Sequence, residues 1–468
     1  MRRLVFASLV ATLLATAMTA VPGRVYADPV VPDILSLRAQ SDLRDDWLVK
    51  RLDTLLPMLM ERAGVDMWIL IAREYTEDPV VETMLPATWM SARRRTVLIF
   101  HQPEPGADVE RLSATFHAVA SRDPQTAARH GGDIYPRAWF PHDGQPDQWA
   151  RIAEIVAERD PQRIAVNRSE VFPLADGLTA TQAEGLINAL GERYASRLVS
   201  GEMLALSWLE TRIPEEMVAY RTIQRIAHAI VIEGLSDKVI TPGHTRTSDV
   251  QWWYRERIRE LGLETWFHPS VSVTRHAEQD GDMATMFAEA QPDPVIMPGD
   301  LLHMDFGITY LGFTTDTQNH AYVLRAGETD APEGLKAGLA AANRAQDILM
   351  ENFRAGEPAN DLLARAVAQA KDEGLDAVFY SHALGYHGHG AGPWIGAWDN
   401  QEGVPGQGDY PIHPNTAWSI ELNVQKAVPE WGGQPVRFRL EEDAYFDGET
   451  VEFIDGRQTS FHLIPRPR

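Results

Sequence analysis

Between Leu301 and Asp316 the chain reads Leu-Leu-His-Met-Asp-Phe-Gly-Ile-Thr-Tyr-Leu-Gly-Phe-Thr-Thr-Asp. Two apolar runs flank a Tyr-Leu-Gly turn, the pattern of a β-hairpin, so the fold has to accommodate antiparallel strands. A turn centred on Tyr310 and Leu311 sets Asp305 directly opposite Asp316. Side chains opposed in this way have Cβ atoms about 5 Å apart. Two carboxylates that close repel unless a cation lies between them. The separation suits a pair of divalent ions about 3.5–4 Å apart. Two solvated acids on a surface hairpin would give the same pattern, so the rest of the chain has to decide.

The chain has 468 residues, room for two or three domains. It contains no cysteine, which excludes disulfides, thiolate catalysis and Cys-ligated metals. Any metal has to be held by His, Asp and Glu. The formal net charge of -23 argues against a nucleic-acid partner and against anionic membranes. Residues 1–27 read as a secretory signal. Arg2 and Arg3 precede the apolar run Leu4 to Val21, and Val25-Tyr26-Ala27 is a small-x-small cleavage site before Asp28. The expected location is periplasmic or secreted. No other stretch is long and apolar enough to span a bilayer, so no membrane contact is expected after cleavage.

Trp47 to Arg62 carries leucines at helical spacing, with Pro57 set to kink it and Gly64 to end it. Strands follow at Met67 to Ile71, Thr96 to Phe100 and Arg163 to Val166, with a helix over Gln148 to Arg159. This alternation predicts an α/β domain over residues 30–205. A second pattern covers residues 207–465. Pro214 opens a helix with Glu215 and Glu216 in its first turn, and further helices are expected over Asp249 to Leu261, Leu335 to Phe353 and Asp361 to Glu373. A Gly/Pro-rich loop, 385–415, precedes strands at Ala417 to Leu422 and Val436 to Glu441. Helices grouped around antiparallel strands make this half α+β.

Three features join the two aspartates. His387-Gly388-His389-Gly390-Ala391-Gly392 puts imidazoles on a backbone that can approach a metal closely. Glu421 sits in an apolar strand, where a lone carboxylate is costly without a partner. Arg439, Glu441 and Asp443 alternate along the last strand. Nitrogen and oxygen donors of this kind suit Mn²⁺, Zn²⁺, Co²⁺ or Fe²⁺.

The ordered series of Asp305, Asp316, a Gly-flanked His, an Ile-Glu strand and Arg439-Leu440-Glu441 resembles the pita-bread metallopeptidases. These include aminopeptidase P, prolidase and methionine aminopeptidase, with creatinase as a metal-free relative. The resemblance implies an α+β pita-bread catalytic domain behind a smaller creatinase-like α/β domain. It implies two divalent ions, with Mn²⁺ foremost and Zn²⁺ or Co²⁺ as alternatives. By the resemblance Asp305 chelates one ion, His389 and Glu421 the other, and Asp316 and Glu441 bridge. Glu442 is the fallback if the strand slips by one.

Some positions depart from the family. Members usually carry a second His seven residues beyond the ligand, and here that position is Gly396. The His four before the ligand is Gly385, with His382, His387 or Tyr386 as stand-ins. After Asp316 come Thr317-Gln318-Asn319 where relatives often show Thr-Arg. His276 and His268 are candidates for a substrate-contacting His ahead of the hairpin, where a stretch around Asp280 to Pro298 reads as inserted.

The implied activity is cleavage of the N-terminal bond of Xaa-Pro peptides by a metal-activated water. Glu421 would move the proton, and a neutral His, His382 or His387, would stabilise the oxyanion. The partner is a small peptide, with a homodimer as the assembly the resemblance allows. The sequence also admits two other readings, a hydrolase or lyase of a small non-peptide substrate, favoured by Gly396, and a binding protein that has kept the fold.

Overall fold

The computed structural model describes residues 29–142, 147–278 and 292–465. The expected signal, residues 1–27, lies outside these, as does much of the stretch read as inserted.

The first helix begins earlier than its leucine spacing suggests. Ser36 caps Leu37–Lys50 by accepting from the Ala39 N–H. The chain then passes through one π turn, Arg51–Leu55, into Leu56–Ala63. The irregular turn falls just ahead of Pro57, which has no N–H to give to the carbonyl four residues back and crowds it with its ring. A π turn takes up that misfit. Gly64 ends the helix at φ 63°, a left-handed conformation that favours glycine.

The expected strands form at Met67–Arg73, Arg95–His101 and Ile164–Val166, joined by Glu110–Ser113 and Leu198–Ser200 in one five-stranded sheet. Met67–Arg73 lies at its centre, antiparallel to Arg95–His101 and parallel to Ile164–Val166. Side chains alternate across a strand. Met67, Ile69 and Ile71 therefore pack with Ile152, Ile155 and Leu186 of the covering helices. Trp68, Leu70 and Phe100 face the opposite way, into a core shared with Leu52, Leu204 and Trp208.

In the second half, helices Pro214–Gly234, Thr247–Glu260, Glu333–Glu351 and Ala359–Asp372 surround mostly antiparallel sheets, with one parallel pair between Thr317–Val323 and His462–Ile464. A four-stranded sheet has the order 462–464, 317–323, 301–306, 270–274. Beside it, three runs of chain each cross from one sheet to another. Asp376–Phe379 gives way to Ser381–Leu384, Thr416–Ser419 to Leu422–Val428, and Gln434–Leu440 to Asp443–Phe446. The crossings fall at Tyr380, at Ile420-Glu421 and at Glu441-Glu442. They are held level by backbone bonds from Tyr380 N–H to Glu421 C=O (3.3 Å) and from Ile420 N–H to Glu442 C=O (3.0 Å). The strand expected to run unbroken over Ala417 to Leu422 is thus two strands in two sheets, with Glu421 at the break. Among the described residues no helix is long and apolar enough to cross a membrane.

Candidate metal centre

The hairpin turns one residue later than expected. Its central residues are Leu311 and Gly312, at φ 57° and 86°, between the paired Tyr310 and Phe313. Positive φ at both positions is the type I′ geometry that matches strand twist, and Gly312 accepts it without cost. Moving the centre by one residue moves every partner by two. Asp305 therefore faces Gln318, and Phe306 faces Thr317. Asp316 becomes the diagonal neighbour of Asp305 on the same face, in the gap between Phe313–Thr314 and Thr317–Val323.

Around that gap the sheet crossings bring the other acids together. Asp316, His382 and Glu441 offer ligand atoms that all lie within 4.8 Å of one another. His382 Nε2 is 3.5 Å from Glu441 Oε1, 3.8 Å from Asp316 Oδ2 and 3.9 Å from Glu421 Oε2. Its Nδ1–H donates to the Ala383 carbonyl (3.0 Å), so Nε2 turns a lone pair toward carboxylates that, when ionised, can only accept. Asp305 Oδ1, Asp316 Oδ1 and His382 Nε2 are all buried without a protein partner. Acceptors facing acceptors in a buried site are costly, and a divalent cation satisfies them all at once. The residues fit such an ion.

The electrostatics agree. Burial, then the charge of Glu441, pushes the Asp305 carboxyl well above its usual range. Asp316 rises for the same first cause and then from Glu441 and Asp305. Glu421 rises through burial, then Glu441 and Asp305. Such a group binds either protons or metal.

The structure changes which imidazole stands among the acids. His382, expected as a catalytic stand-in, is on strand Ser381–Leu384, whose pairing with Thr416–Ser419 aims it into the cluster. His389, expected as the ligand, is an exposed residue on the following bend. Its ring centroid is 4.9 Å from that of His382 and 5.2 Å from Trp266. Burial of its ring nitrogens, then the neighbouring His382, lowers its pKa to about 4. His389 is the seventh residue after His382 (389 − 382), so the spacing that pointed to Gly396 is met when counted from His382. His387 lies outside the cleft, in a separate cavity with Trp47, Tyr310 and Tyr386. Tyr386 packs on Phe313 and hydrogen-bonds Glu216. Glu442 binds His228 and Asn319 instead. Of the two upstream candidates, His268 lines the cleft, and His276 packs near Trp431.

The cleft has a volume of about 620 Å³. Beyond the cluster its walls are aromatic: Trp266, Phe267, Tyr380, Trp394 and Trp398. Trp266 is wedged in place. Its indole N–H donates to the Thr315 carbonyl (3.0 Å). A Cβ on Gly388 would lie 2.1 Å from its ring, and one on Gly307 would lie 2.8 Å from its Nε1. Both glycines are therefore required by close approach. Trp266, Gln318 and His303 escaped the sequence reading. The alternation His303-x-Asp305 and Gln318-x-His320 on two paired strands was the available signal.

Comparison with known proteins bears on the family and the fold. A profile of metallopeptidase family M24 matches residues 218–445. No curated protein matches by sequence. Among solved structures the chain is similar to an X-Pro aminopeptidase from Thermotoga maritima MSB8, at 17% identity and a TM-score of 0.59, over 86% of this chain and 99% of that one. It is similar to the dipeptidase PepE from Mycobacterium ulcerans, at 17% identity and 0.57, over 90% and 99%. A Xaa-Pro dipeptidase from Bacillus anthracis matches at 18% identity and 0.55, over 90% and 99%. At these identities the likeness is one of fold, and the coverage takes in both the α/β half and the pita-bread half.

Proposed function

The chain belongs to metallopeptidase family M24 through residues 218–445, and from that premise we propose that it is a dinuclear metal-dependent aminopeptidase acting on Xaa-Pro peptides. One observation carries the metal dependence: the His382 Nε2 lone pair faces Asp316, Glu421 and Glu441, whose ionised carboxylates offer it no donor. Asp305, Asp316, His382, Glu421 and Glu441 are the proposed ligands, with His382 in the place first given to His389. Oxygen donors with a single imidazole favour Mn²⁺, with Zn²⁺ or Co²⁺ as alternatives. Bound there, such ions would polarise the scissile carbonyl and lower the pKa of the attacking water.

The remaining chemistry belongs to the chain. Glu421 has one oxygen tied to Gln318 at 2.6 Å, which leaves the other to carry a proton to the leaving nitrogen. His389, with its pKa lowered to about 4, is neutral at working pH and donates an N–H to the developing oxyanion. Trp266 keeps His389 in place, and the aromatic walls exclude water from the peptide. The non-peptide alternative rested on Gly396, and His389 at the required spacing from His382 removes that ground.

The test is metal content measured together with turnover of a panel of Xaa-Pro and Xaa-Ala peptides. The proposal expects metal-dependent release of the first residue, fastest on Xaa-Pro. Metal uptake with no peptide turnover would overturn it.

A further inference from the structure

Strand Thr317–Val323 is buried at every position, including the polar Thr317, Gln318, Asn319 and His320. Buried polar groups of this kind need partners, and those of Gln318 form a chain with one direction. An arginine can only donate, so Arg439 Nη1–H gives a hydrogen bond to His303 Nδ1 (3.4 Å). The proton of His303 is then on Nε2, which donates to Gln318 Oε1 (2.8 Å). That orients the amide. Its NH₂ group points at the acids and donates to Glu421 Oε1 (2.6 Å) and to Glu441 Oε2 (2.7 Å). The second oxygen of Glu441 accepts from Ser419 Oγ.

We propose that Gln318 is a positioning residue of the metal centre, its amide aimed by His303 and Arg439 so that its two N–H groups fix Glu421 and Glu441 relative to each other. The inference rests on the metal-centre reading above. The pairing Asp305↔Gln318 puts the amide directly across from the first aspartate, so one side chain touches or faces three of the five ligand positions. A glutamine suits the task because it orders two carboxylates without cancelling their charge. A lysine or arginine in its place would compete with the cation. Outer residues that orient metal ligands in this way typically contribute about 10–100-fold in metal affinity.

The experiment uses the full chain, stripped of metal and titrated with Mn²⁺ by calorimetry, as wild type, Gln318→Met and His303→Phe. Gln318→Met keeps the volume and removes both donors, and is expected to bind Mn²⁺ about 10–100-fold more weakly while the metal-free protein still melts cooperatively. His303→Phe leaves the amide in place but frees it to flip, so a smaller loss in the same direction is expected. If Gln318→Met does not fold, His303→Phe decides alone. Affinities within about twofold of wild type in the folded variants would overturn the inference while leaving the metal centre intact. A wild type that takes up no Mn²⁺, Co²⁺ or Zn²⁺ would bring down the metal-centre reading and this inference with it.

Discussion

His382 and His389 have ring centroids 4.9 Å apart, and what each faces divides their roles. His382 looks at carboxylates, and His389 looks at the cleft. His382→Ala removes a proposed ligand, so metal uptake and hydrolysis should fall together. His389→Ala should retain the metal and lower kcat by about 10²–10³-fold, the usual cost of losing one donor to an oxyanion. Metal analysis beside steady-state kinetics separates the two, and equal metal loss in both variants would contradict the division. The acids make a second prediction. Asp316 in the metal-free fold has its pKa raised well above 3.8 by burial, Glu441 and Asp305. A folded-state pKa above the unfolded one means that the folded chain holds more protons through the interval between them. Stability is then fullest below the ordinary carboxylate range and is lost as pH rises through that interval. Metal-free protein should melt lower at about pH 8 than at about pH 5, and Asp316→Asn should narrow the gap. Thermal melts in chelator check this, and a gap of the same size in Asp316→Asn would count against it.

At the scale of elements, the acids are placed by interruptions. Glu421 and Glu441 sit where strands leave one sheet for another, and Asp316 sits between a two-residue ribbon and a long strand. The residue types were legible in the sequence, since an acid inside an apolar run is conspicuous. So were most helices and strands, through periodicity and through Gly64 and Pro214 at element ends. The crossings were not legible, because Ser-Ile-Glu-Leu alternates like one continuous strand. Nor was the hairpin register, which depends on whether Leu311 accepts positive φ. The choice of histidine was hidden for a similar reason. Three imidazoles fall within eight residues, and only the pairing of Ser381–Leu384 on both edges tells them apart. Gln318 and His303 are neutral and carried no charge signal. The loop after that strand depends on Trp266, so Gly388→Ala, whose Cβ would stand 2.1 Å from the ring, should cost about 1–3 kcal/mol. Denaturant unfolding reads the cost, and unchanged stability would show that the indole is free to move.

Across the whole molecule, the first helix is keyed into the catalytic half. Arg51, fully buried in the π turn, donates to the Trp208 and Thr211 carbonyls and to both oxygens of Glu216. Trp47 of the same helix meets Phe313 of the hairpin at 5.7 Å, and the Leu35 N–H donates to Tyr310 Oη (2.9 Å). Breaking a buried pair strands the other charge, so Arg51→Met should cost about 3–5 kcal/mol. Arg212 Nη1 lies 3.9 Å from the same Glu216 carboxylate. Equilibrium unfolding tests the cost, and a loss below about 1 kcal/mol would mean that Arg212 compensates. The two halves thus hold in register a hairpin and three sheet crossings whose side chains converge on the proposed metal centre. The most direct measurement of that claim is peptide hydrolysis before chelation, after exhaustive chelation and after returning Mn²⁺. Activity should be lost on stripping and recovered on re-addition. Undiminished hydrolysis by metal-free protein would contradict it.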